Sequence, residues 1–251
     1  MKISIVTVCR NSEAFIADAL ASVDRQTWPD IEHVIVDGAS TDGTLAIVRA
    51  HADPRRRVVS EPDAGIYDAM NKGLARATGD VVGFLNADDF LADDGVVARI
   101  ASAFGDDPDL LATYGDLDYI SADADKRTIR RWTSRAFSAS LLRRGWMPPH
   151  PTFYVRRPLL ERVGAFDTRY RIAADYDFMV RCLLTPALRV RYLPALLVRM
   201  RIGGASNGSL GRIVRKSRED LQIMRRHGIG GLWSLVGKNL GKLPQFIGRR
   251  A

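Results

Sequence analysis

The sequence predicts an α/β protein with a Rossmann-like, mainly parallel sheet and helices on both faces. Over the first hundred residues, short apolar runs alternate with amphipathic patterns that repeat at helical spacing. The apolar runs predict strands at residues 3–8, 33–36, 57–60 and 81–85, and the patterns between them predict helices at residues 12–26, 44–51 and 66–77. A strand–helix–strand series aligns successive strands in parallel and lays the connecting helices over the sheet.

Capping residues support the predicted helices. Asn11 or Ser12 can cap the first helix, and Asp94 can cap another that follows the fourth strand. Each helix has an apolar face at helical spacing, formed by Ile16, Leu20 and Val23 in the first and by Val97, Ile100 and Phe104 in the second. The period and the caps therefore agree on these helices.

From about residue 110 the pattern changes to shorter pieces that predict antiparallel strands and loops completing the sheet. Strands are expected at residues 111–114, 130–132, 152–155 and 189–201, with a turn-rich acidic segment at 116–125 and a helix at 175–184. Two helical segments, separated by residues 228–231, follow a break at Gly203-Gly204. We therefore divide the chain into a domain at residues 1–208, with halves at 1–110 and 111–208, and a basic helical extension at residues 209–251.

The positive charge of the chain is concentrated near its C-terminal end. The net charge is +8, but residues 201–251 hold eleven Lys and Arg against two acidic residues, which leaves the first 200 residues close to neutral. No nucleic-acid partner is expected for the domain, because its charge does not form a basic surface.

The cysteines and the hydropathy pattern bear on location. Cys9 and Cys182 are far apart and belong to no metal-binding spacing, which fits a reducing compartment. No segment is apolar over the length that a membrane-spanning helix needs. We expect a cytoplasmic protein, with peripheral binding to the inner face of the cell membrane as an open alternative.

The apolar run at residues 81–85 ends in two adjacent carboxylates, in the sequence Asn86-Ala87-Asp88-Asp89. Open α/β sheets bind ligands at the carboxyl ends of their strands, so the pair predicts a site for a divalent metal and a phosphate. Mg²⁺ and Mn²⁺ need only one or two protein carboxylates, because phosphate oxygens and water complete their shell. The alternative is a solvated turn with a capping aspartate.

Two further segments follow predicted strands. Asp37 ends the second strand, where its carboxylate can accept hydrogen bonds from a base or ribose and the small residues after it let a flat ligand approach. In the next segment Asp63 can cap a helix, and Lys72 could reach a phosphate. The alternatives are an ordinary strand-to-helix turn after Asp37 and a solvated helix lysine at position 72.

Together these segments resemble glycosyltransferase family 2, enzymes of the GT-A fold. The run Ser60-Glu61-Pro62-Asp63-Ala64-Gly65-Ile66-Tyr67-Asp68-Ala69-Met70-Asn71-Lys72-Gly73 is similar to a subgroup that acts in polysaccharide and glycolipid assembly at the cell envelope. The resemblance covers roughly residues 1–200. It implies an inverting transferase that depends on Mn²⁺ or Mg²⁺ and moves a sugar from a UDP- or GDP-sugar to a saccharide or lipid-linked acceptor.

The resemblance also implies roles for individual residues on the donor side. Thr7, Arg10 and Asn11 at the first strand end would line the nucleotide pocket. Asp37 at the second strand end would bind the base, and Asp63 and Lys72 in the next segment would border the nucleotide. Asp88 would lie on the ribose side and Asp89 would be the main metal ligand, with Asp88 as a second candidate ligand.

Glycosyl transfer also requires a base that takes the proton of the acceptor hydroxyl. Ala174-Asp175 resembles the family's Glu-Asp element with Ala174 in place of the first acid, which leaves Asp175 as the catalytic base; the alternative is a helix cap. The acceptor-side candidates are Trp146, His150 and Asp177. His150 could also contact the diphosphate or the metal. For Trp146 and His150 the alternative is packing inside the fold.

Other functions are less consistent with the sequence. A sugar nucleotidyltransferase would need a glycine-rich basic loop after the first strand, and a nicotinamide-dependent oxidoreductase would need GxGxxG there, but residues 7–12 contain no glycine. A non-enzymatic binder of anionic lipid or nucleic acid would use the basic extension but would leave the carboxylates unexplained.

The extension itself has two interpretations, and both can hold. Its helices mix apolar residues and Trp233 with Lys and Arg, which is typical of helices that lie on anionic membranes. Their apolar faces could equally cover the domain. Before them, Gly203-Gly204-Ala205-Ser206 could form a mobile loop near the diphosphate or a plain turn.

Overall fold

A computed structural model describes residues 1–202 and 210–240, and it confirms the predicted α/β architecture. One mixed sheet is covered by helices. The strands are β1 (Ile3–Cys9), β2 (Ile31–Asp37), β3 (Arg56–Ser60), β4 (Val81–Phe84), β5 (Phe90–Leu91), β6 (Ala112–Ile120), β7 (Thr128–Trp132), β8 (Tyr154–Arg156) and β9 (Val190–Arg201). The helices are α1 (Ile16–Asp24), α2 (Thr44–Ala50), α3 (Ile66–Arg76), α4 (Val96–Gly105), α5 (Ala139–Arg143), α6 (Arg157–Val163), α7 (Ala174–Leu183), α8 (Leu210–Arg226) and α9 (Leu232–Leu240).

The sheet has the order β3-β2-β1-β4-β8-β6-β9-β5, with β7 beside β6. Strands β1 to β4 are parallel, as predicted, and β8 pairs antiparallel with both β4 and β6. In the parallel part, Cys9 pairs with Asp37 and Asp37 pairs with Ser60, so the carboxyl ends of three strands are level. The segments that follow these strands therefore meet at one edge of the sheet.

Both faces of the sheet are buried because each has its own helical cover. On β1, Ile3 and Ile5 join a core with α1 and α4, while Val6 and Val8 join a core with α3 and α7 on the opposite face. Successive side chains of a strand point to opposite faces, so the continuous apolar run of β1 is what a doubly covered strand requires.

The acidic segment at residues 116–125 differs from its prediction, since β6 continues to Ile120 before the turn begins. Carboxylates occur in this strand because each has a partner. Asp118 is buried and accepts two hydrogen bonds from the guanidinium of Arg131, at 2.8 and 2.9 Å. Asp116 accepts hydrogen bonds from the backbone N–H of Ser134 and the hydroxyl of Tyr192, both at 2.8 Å. Partners this distant along the chain are invisible to a local pattern.

The C-terminal helices α8 and α9 form where helical segments were predicted, and they pack against residues 111–202. Ile223 and Met224 of α8 are fully buried in the core shared with α7. Glu219 accepts hydrogen bonds from the backbone N–H groups of residues 171–173, at 2.8 to 3.1 Å, immediately before α7. The predicted domain boundary after residue 208 and the Gly203-Gly204 loop lie outside the described residues, as do residues 241–251.

Within the described residues, no helix combines the length and apolarity needed to cross a membrane.

We expect Ile223→Ala to lower the free energy of unfolding by about 2–5 kcal/mol, because it removes methyl groups from a fully buried position and leaves a cavity. Ile213→Ala is the matched control, since Ile213 lies on the same helix with 53% of its surface exposed; a change within about 0.5 kcal/mol is expected there. Urea unfolding measures both. Equal effects of the two substitutions would show that α8 is not packed as described.

Candidate functional site

A cavity of about 490 Å³ lies at the carboxyl ends of β1 and β4, and we call it the strand-end cavity. It brings together four of the predicted donor-side residues from three separate segments: Arg10, Asn11, Asp63 and Asp88. Asp89 also lies at its wall. The level strand ends explain this clustering, because each segment leaves the sheet at the same edge.

Asp88 and Asp89 occupy different environments. Asp89 is fully buried, and its oxygens accept hydrogen bonds from the side-chain amide of Asn86 at 2.8 Å and from the backbone N–H of Arg201 at 3.1 Å. Asp88 is half-buried and keeps surface open to the cavity. Burial raises the pKa of Asp88, and burial followed by the charge of Asp88 raises the pKa of Asp89 well above its usual range. This geometry favours Asp88 over Asp89 as the carboxylate that reaches a ligand.

Arg201 completes this corner of the cavity, although sequence reasoning did not single it out. Its buried guanidinium donates a hydrogen bond to the backbone carbonyl of Asp88 at 2.6 Å and pairs with Asp18. The guanidinium also lies over the rings of Phe15 and Phe90, at 4.9 and 5.3 Å from their centroids. The pairing of β9 with β5 brings Arg201 to Asp88 across more than a hundred residues, and no local pattern signals it.

Thr7 and Asp37, predicted for the nucleotide pocket and the base, are not among the residues that line the strand-end cavity. Thr7 is fully buried and its hydroxyl lies 3.1 Å from Nε2 of His33, so it does not line the strand-end cavity. Asp37 is also fully buried, and its carboxylate accepts hydrogen bonds from the backbone and hydroxyl of Ser40 and from the hydroxyl of Ser60. The carboxylate oxygens of Asp37 therefore bind the neighbouring segments together and do not line the strand-end cavity.

Asp63 approaches the second strand end because residue 38 is glycine. A Cβ built on Gly38 would lie 2.1 Å from Oδ2 of Asp63, so any side chain there would displace the carboxylate. Oδ1 of Asp63 accepts the backbone N–H of Gly65 at 2.8 Å, which fixes the other end of the group. Asp63 is therefore held at the cavity wall by its own loop.

Lys72, predicted to border the nucleotide, does not line the strand-end cavity. Its ammonium donates a hydrogen bond to the backbone carbonyl of Pro62 at 2.6 Å and pairs with Glu61 and Asp68, at 3.5 and 3.3 Å. These contacts tie the loop that carries Asp63 to helix α3. The lysine supports the site through the loop and has its charge compensated locally.

A second cavity of about 460 Å³, which we call the lateral cavity, adjoins the first. Ile66, Asn86 and Met200 line both cavities, so the two cavities adjoin at these residues. The lateral cavity contains three of the predicted catalytic and acceptor-side residues, Trp146, His150 and Asp175. Asp88 and Asp175 thus line adjoining cavities.

Asp175 lies in the first turn of α7 and is hydrogen-bonded to a residue from the other half of the chain. The hydroxyl of Tyr67 lies 3.1 Å from Oδ1 of Asp175 and 2.7 Å from the backbone carbonyl of Ile172. Its single proton can be donated to only one of these acceptors at a time. Burial, followed by the charge of Asp175, raises the pKa of Tyr67 well above its usual range, so it remains a neutral donor. Tyr67 thus connects α3 to the first turn of α7 at the wall of the lateral cavity.

His150 lies in a single 3₁₀ turn and faces the same cavity. Its ring packs against Phe84 and Phe166, with centroids 5.5 and 5.8 Å away. Nε2 is buried and has no hydrogen-bond partner among the described residues. Burial lowers the pKa of His150, although the charge of Asp175 acts in the opposite direction, so the ring is neutral near pH 7. A neutral imidazole with an unused nitrogen can position a hydroxyl group.

Asp177, predicted as an acceptor-side candidate, does not line the lateral cavity. It is fully buried and pairs with Arg181 of its own helix and with His227 after α8, both at 2.8 Å. Two positions along a helix from Asp175, it points to another face and joins α7 to the C-terminal helices. Trp146 does line the lateral cavity, and its ring meets that of Tyr114 edge-on, with centroids 5.9 Å apart.

The carboxylates of the strand-end cavity fit a hard divalent ion only if the ligand supplies further oxygens. No group of three or more His, Cys, Asp or Glu side chains converges on one point among the described residues. Mg²⁺ and Mn²⁺ bound with a diphosphate need one or two protein carboxylates, and the half-buried Asp88 meets that requirement. The donor set is therefore compatible with a shared ion and does not form a protein-only metal site.

Known structures share this fold. TarS 1–349 of S. aureus, in complex with UDP-GlcNAc, superposes with a TM-score of 0.71 at 21% identity, covering 91% of this chain and 66% of that one. The mannosyltransferase PcManGT of Pyrobaculum calidifontis, in complex with GDP-Man and Mn²⁺, superposes with a TM-score of 0.66 at 19% identity, covering all of this chain and 76% of that one. The chain therefore has a GT-A-like fold.

Sequence comparisons identify the family. The model of glycosyl transferase family 2 matches residues 4–167, and the chain belongs to that family. A PGL/p-HBAD biosynthesis glycosyltransferase of Mycobacterium bovis is 36% identical over 208 residues, which cover 81% of this chain and 78% of the relative. The O-antigen biosynthesis protein RfbC of Myxococcus xanthus is 35% identical over 214 residues, 83% of this chain but only 16% of that protein. The protein is therefore a glycosyltransferase, as its sequence predicted.

Proposed function

We propose that this glycosyltransferase binds a nucleoside diphosphate sugar in the strand-end cavity and transfers the sugar, with inversion, to a hydroxyl group held in the lateral cavity. The observation that carries the proposal is that the two cavities adjoin at Ile66, Asn86 and Met200, with Asp88 lining one cavity and Asp175 lining the other. A donor whose diphosphate lies near Asp88 would present its sugar towards this junction. An acceptor in the lateral cavity could then reach the anomeric carbon.

In the proposed reaction Asp175 takes the proton of the acceptor hydroxyl as its oxygen forms a bond to the anomeric carbon. The bond from that carbon to the diphosphate breaks on the opposite side, and the nucleoside diphosphate leaves. Tyr67 donates a hydrogen bond to the ionised Asp175 and can turn its proton to the carbonyl of Ile172 when Asp175 becomes protonated. His150, which also lines the lateral cavity, would help to position the hydroxyl. One carboxylate acting as base, without a covalent sugar intermediate, gives inversion.

The leaving diphosphate requires neutralisation, and Asp88 would hold the Mn²⁺ or Mg²⁺ that supplies it. Asp89 would support this loop through Asn86 and the backbone of Arg201. Arg10 and Asp63, both on the cavity wall, would contact the nucleotide. TarS binds UDP-GlcNAc, and PcManGT binds GDP-Man together with Mn²⁺. Their shared fold supports a UDP- or GDP-sugar as donor.

The acceptor is proposed to be a saccharide or a lipid-linked saccharide of the cell envelope. Support comes from the names of relatives, which refer to PGL/p-HBAD and O-antigen biosynthesis. The aromatic rings at the lateral cavity, from Trp132 and Trp146, are suited to the apolar faces of sugar rings.

The test is a panel of UDP- and GDP-sugars, assayed for hydrolysis and for transfer to candidate acceptors with Mn²⁺ and with a chelator. We expect one donor class to be used, activity only with the metal, and a product of opposite anomeric configuration to the donor. Retained configuration in the product would refute the inverting mechanism. Full activity of a true donor in the chelator would refute the metal dependence.

We also propose that α8 and α9 contact anionic lipids at the inner face of the cell membrane. Their inner faces pack on the domain, yet Ile213, Val214, Leu232 and Trp233 are exposed, with Trp233 at 86%. Basic residues lie beside them on α8. Apolar residues with Lys and Arg are what an anionic lipid interface attracts. The two buried cysteines are free, which is consistent with a reducing compartment.

Sedimentation with vesicles tests the membrane proposal. We expect binding to phosphatidylglycerol vesicles and about tenfold weaker binding after Trp233→Ser, since the indole ring contributes a large apolar surface. Leu184→Ser is the matched control, because Leu184 is exposed but lies at the end of α7 and belongs to neither α8 nor α9. Unchanged sedimentation of the Trp233 variant would remove the proposed contact.

A further inference from the structure

The lateral cavity carries more positive charge than the proposed reaction uses. Four cationic side chains line it: Arg135, Arg144, Lys216 and Lys238. Asp175 is the only carboxylate on its wall among the described residues. A neutral sugar acceptor requires a base and flat apolar surfaces, and it gives no reason for four cations.

Two of these cations have ion-pair partners, and the other two have none among the described residues. Lys216 and Lys238 pair with Asp220, at 3.1 and 2.8 Å, and the ammonium of Lys238 lies 3.2 Å from the centroid of the Tyr176 ring. Arg135 and Arg144 are exposed, and neither forms an ion pair within the part of the chain that the structure describes. These two guanidinium groups are the excess positive charge of the wall.

These cations are held by close packing of the C-terminal helices against the turn that precedes Trp146. Gly145 has a φ of 81°, and a Cβ built on it would lie 2.5 Å from the carbonyl oxygen of Ser234 and 2.8 Å from Cβ of Lys238. The hydroxyl of Ser234 donates a hydrogen bond to the carbonyl of Arg143 at 2.7 Å. Helix α9 is thus seated directly on the turn, which brings Lys238 and Arg144 to the same wall.

We propose that this wall is a binding site for a phosphate group carried by the acceptor. The inference rests on the proposed function, because it assigns the lateral cavity to the acceptor. A phosphate group carries up to two negative charges at neutral pH, which matches the excess of the wall, and guanidinium groups bind its oxygens in pairs. The rings of Trp132 and Trp146 would hold the adjoining sugar. The site thus selects anionic acceptors over neutral ones.

Calorimetric titration with defined probes tests the proposal. The probes are inorganic phosphate, glucose 6-phosphate and methyl glucoside, and a separate arm uses vesicles that contain phosphatidic acid to distinguish a lipid phosphate from a soluble one. We expect glucose 6-phosphate to bind at least about tenfold more tightly than methyl glucoside, with an affinity that falls as salt is added. Binding to the vesicles alone, dependent on the same cations, would identify the phosphate as that of a lipid headgroup.

The variants Arg144→Gln and Lys216→Gln should each weaken binding of the phosphate probes about tenfold. Their matched controls are Arg143→Gln and Arg215→Gln, adjacent cations that do not line the cavity, and these should bind as the wild type does. Thermal unfolding verifies that every variant is folded. Equal affinities for glucose 6-phosphate and methyl glucoside, or equal losses in variants and controls, would overturn the proposal.

Binding of UDP with Mn²⁺ separates this proposal from the proposed function. All four variants should bind UDP like the wild type, since none of the four positions lines the strand-end cavity. A parallel loss of UDP binding in Arg144→Gln would assign the cations to the donor diphosphate and overturn the acceptor site. Failure of the wild type to bind any nucleotide would instead refute the proposed donor site, whatever the phosphate probes do.

Discussion

Asp175→Asn is expected to lower kcat for transfer by about 10²–10⁴-fold while leaving donor affinity unchanged, because the amide cannot take the acceptor proton. Asn preserves the size of the side chain and can still accept the hydrogen bond of Tyr67, so the loss would report proton transfer and not a collapsed site. Steady-state kinetics with saturating donor, together with a nucleotide-binding titration, measure the two quantities separately.

The matched control is Asp177→Asn, two residues along the same helix. Asp177 is buried in ion pairs with Arg181 and His227, so its substitution should lower Tm and leave kcat of the folded fraction near the wild-type value. If Asp175→Asn kept wild-type kcat, another group would have to be the base. If both variants were fully folded and lost kcat equally, the assignment of a catalytic role to Asp175 and a structural role to Asp177 would be wrong.

Asp88→Asn is expected to abolish the effect of Mn²⁺ on donor binding and to lower kcat/KM about a hundredfold. The half-buried Asp88 is the carboxylate that faces the cavity, and losing one charged ion ligand removes several kcal/mol from the neutralisation of the diphosphate. Titration of UDP with and without Mn²⁺ measures the effect. If the variant kept the full response to Mn²⁺, the metal ligand would have to be Asp89 or another group.

The affinity for Mn²⁺ should also depend on pH, and the raised pKa of Asp88 sets the direction of that dependence. Burial raises the pKa of Asp88, and a proton competes with the ion for the carboxylate. Affinity for Mn²⁺ should therefore fall as the pH is lowered, and the fall should begin at a higher pH than for an ordinary aspartate. For the ion-free protein the sign is opposite, since ionising a group whose pKa is raised by folding costs stability as the pH rises. Bound Mn²⁺ should offset that cost.

The sequence predicted which strand ends come together, but it could not predict the direction of each side chain. The strand-end rule correctly brought Arg10, Asn11, Asp63 and Asp88 together, because level parallel strands leave the sheet at one edge. The rule cannot say which way a side chain points. Asp37 obeys it and still turns its carboxylate to hydroxyl groups inside the protein.

Partners that are distant in sequence explain what could not be predicted. Lys72 is directed by a backbone carbonyl and two carboxylates of its own region, and helical spacing alone does not show that its charge is already paired. Tyr67 and Arg201 gained roles only because tertiary packing set them beside Asp175 and Asp88. The contribution of α8 and α9 to the lateral cavity was hidden for the same reason.

That contribution makes the two cavities differ in how much of the chain they draw on. The strand-end cavity is lined by residues 8–89 with Met200 and Arg201, whereas the lateral cavity is also lined by Lys216, Gly237 and Lys238. Under the proposed function, sequence changes in α8 and α9 can therefore alter the choice of acceptor while every described lining residue of the donor cavity stays the same.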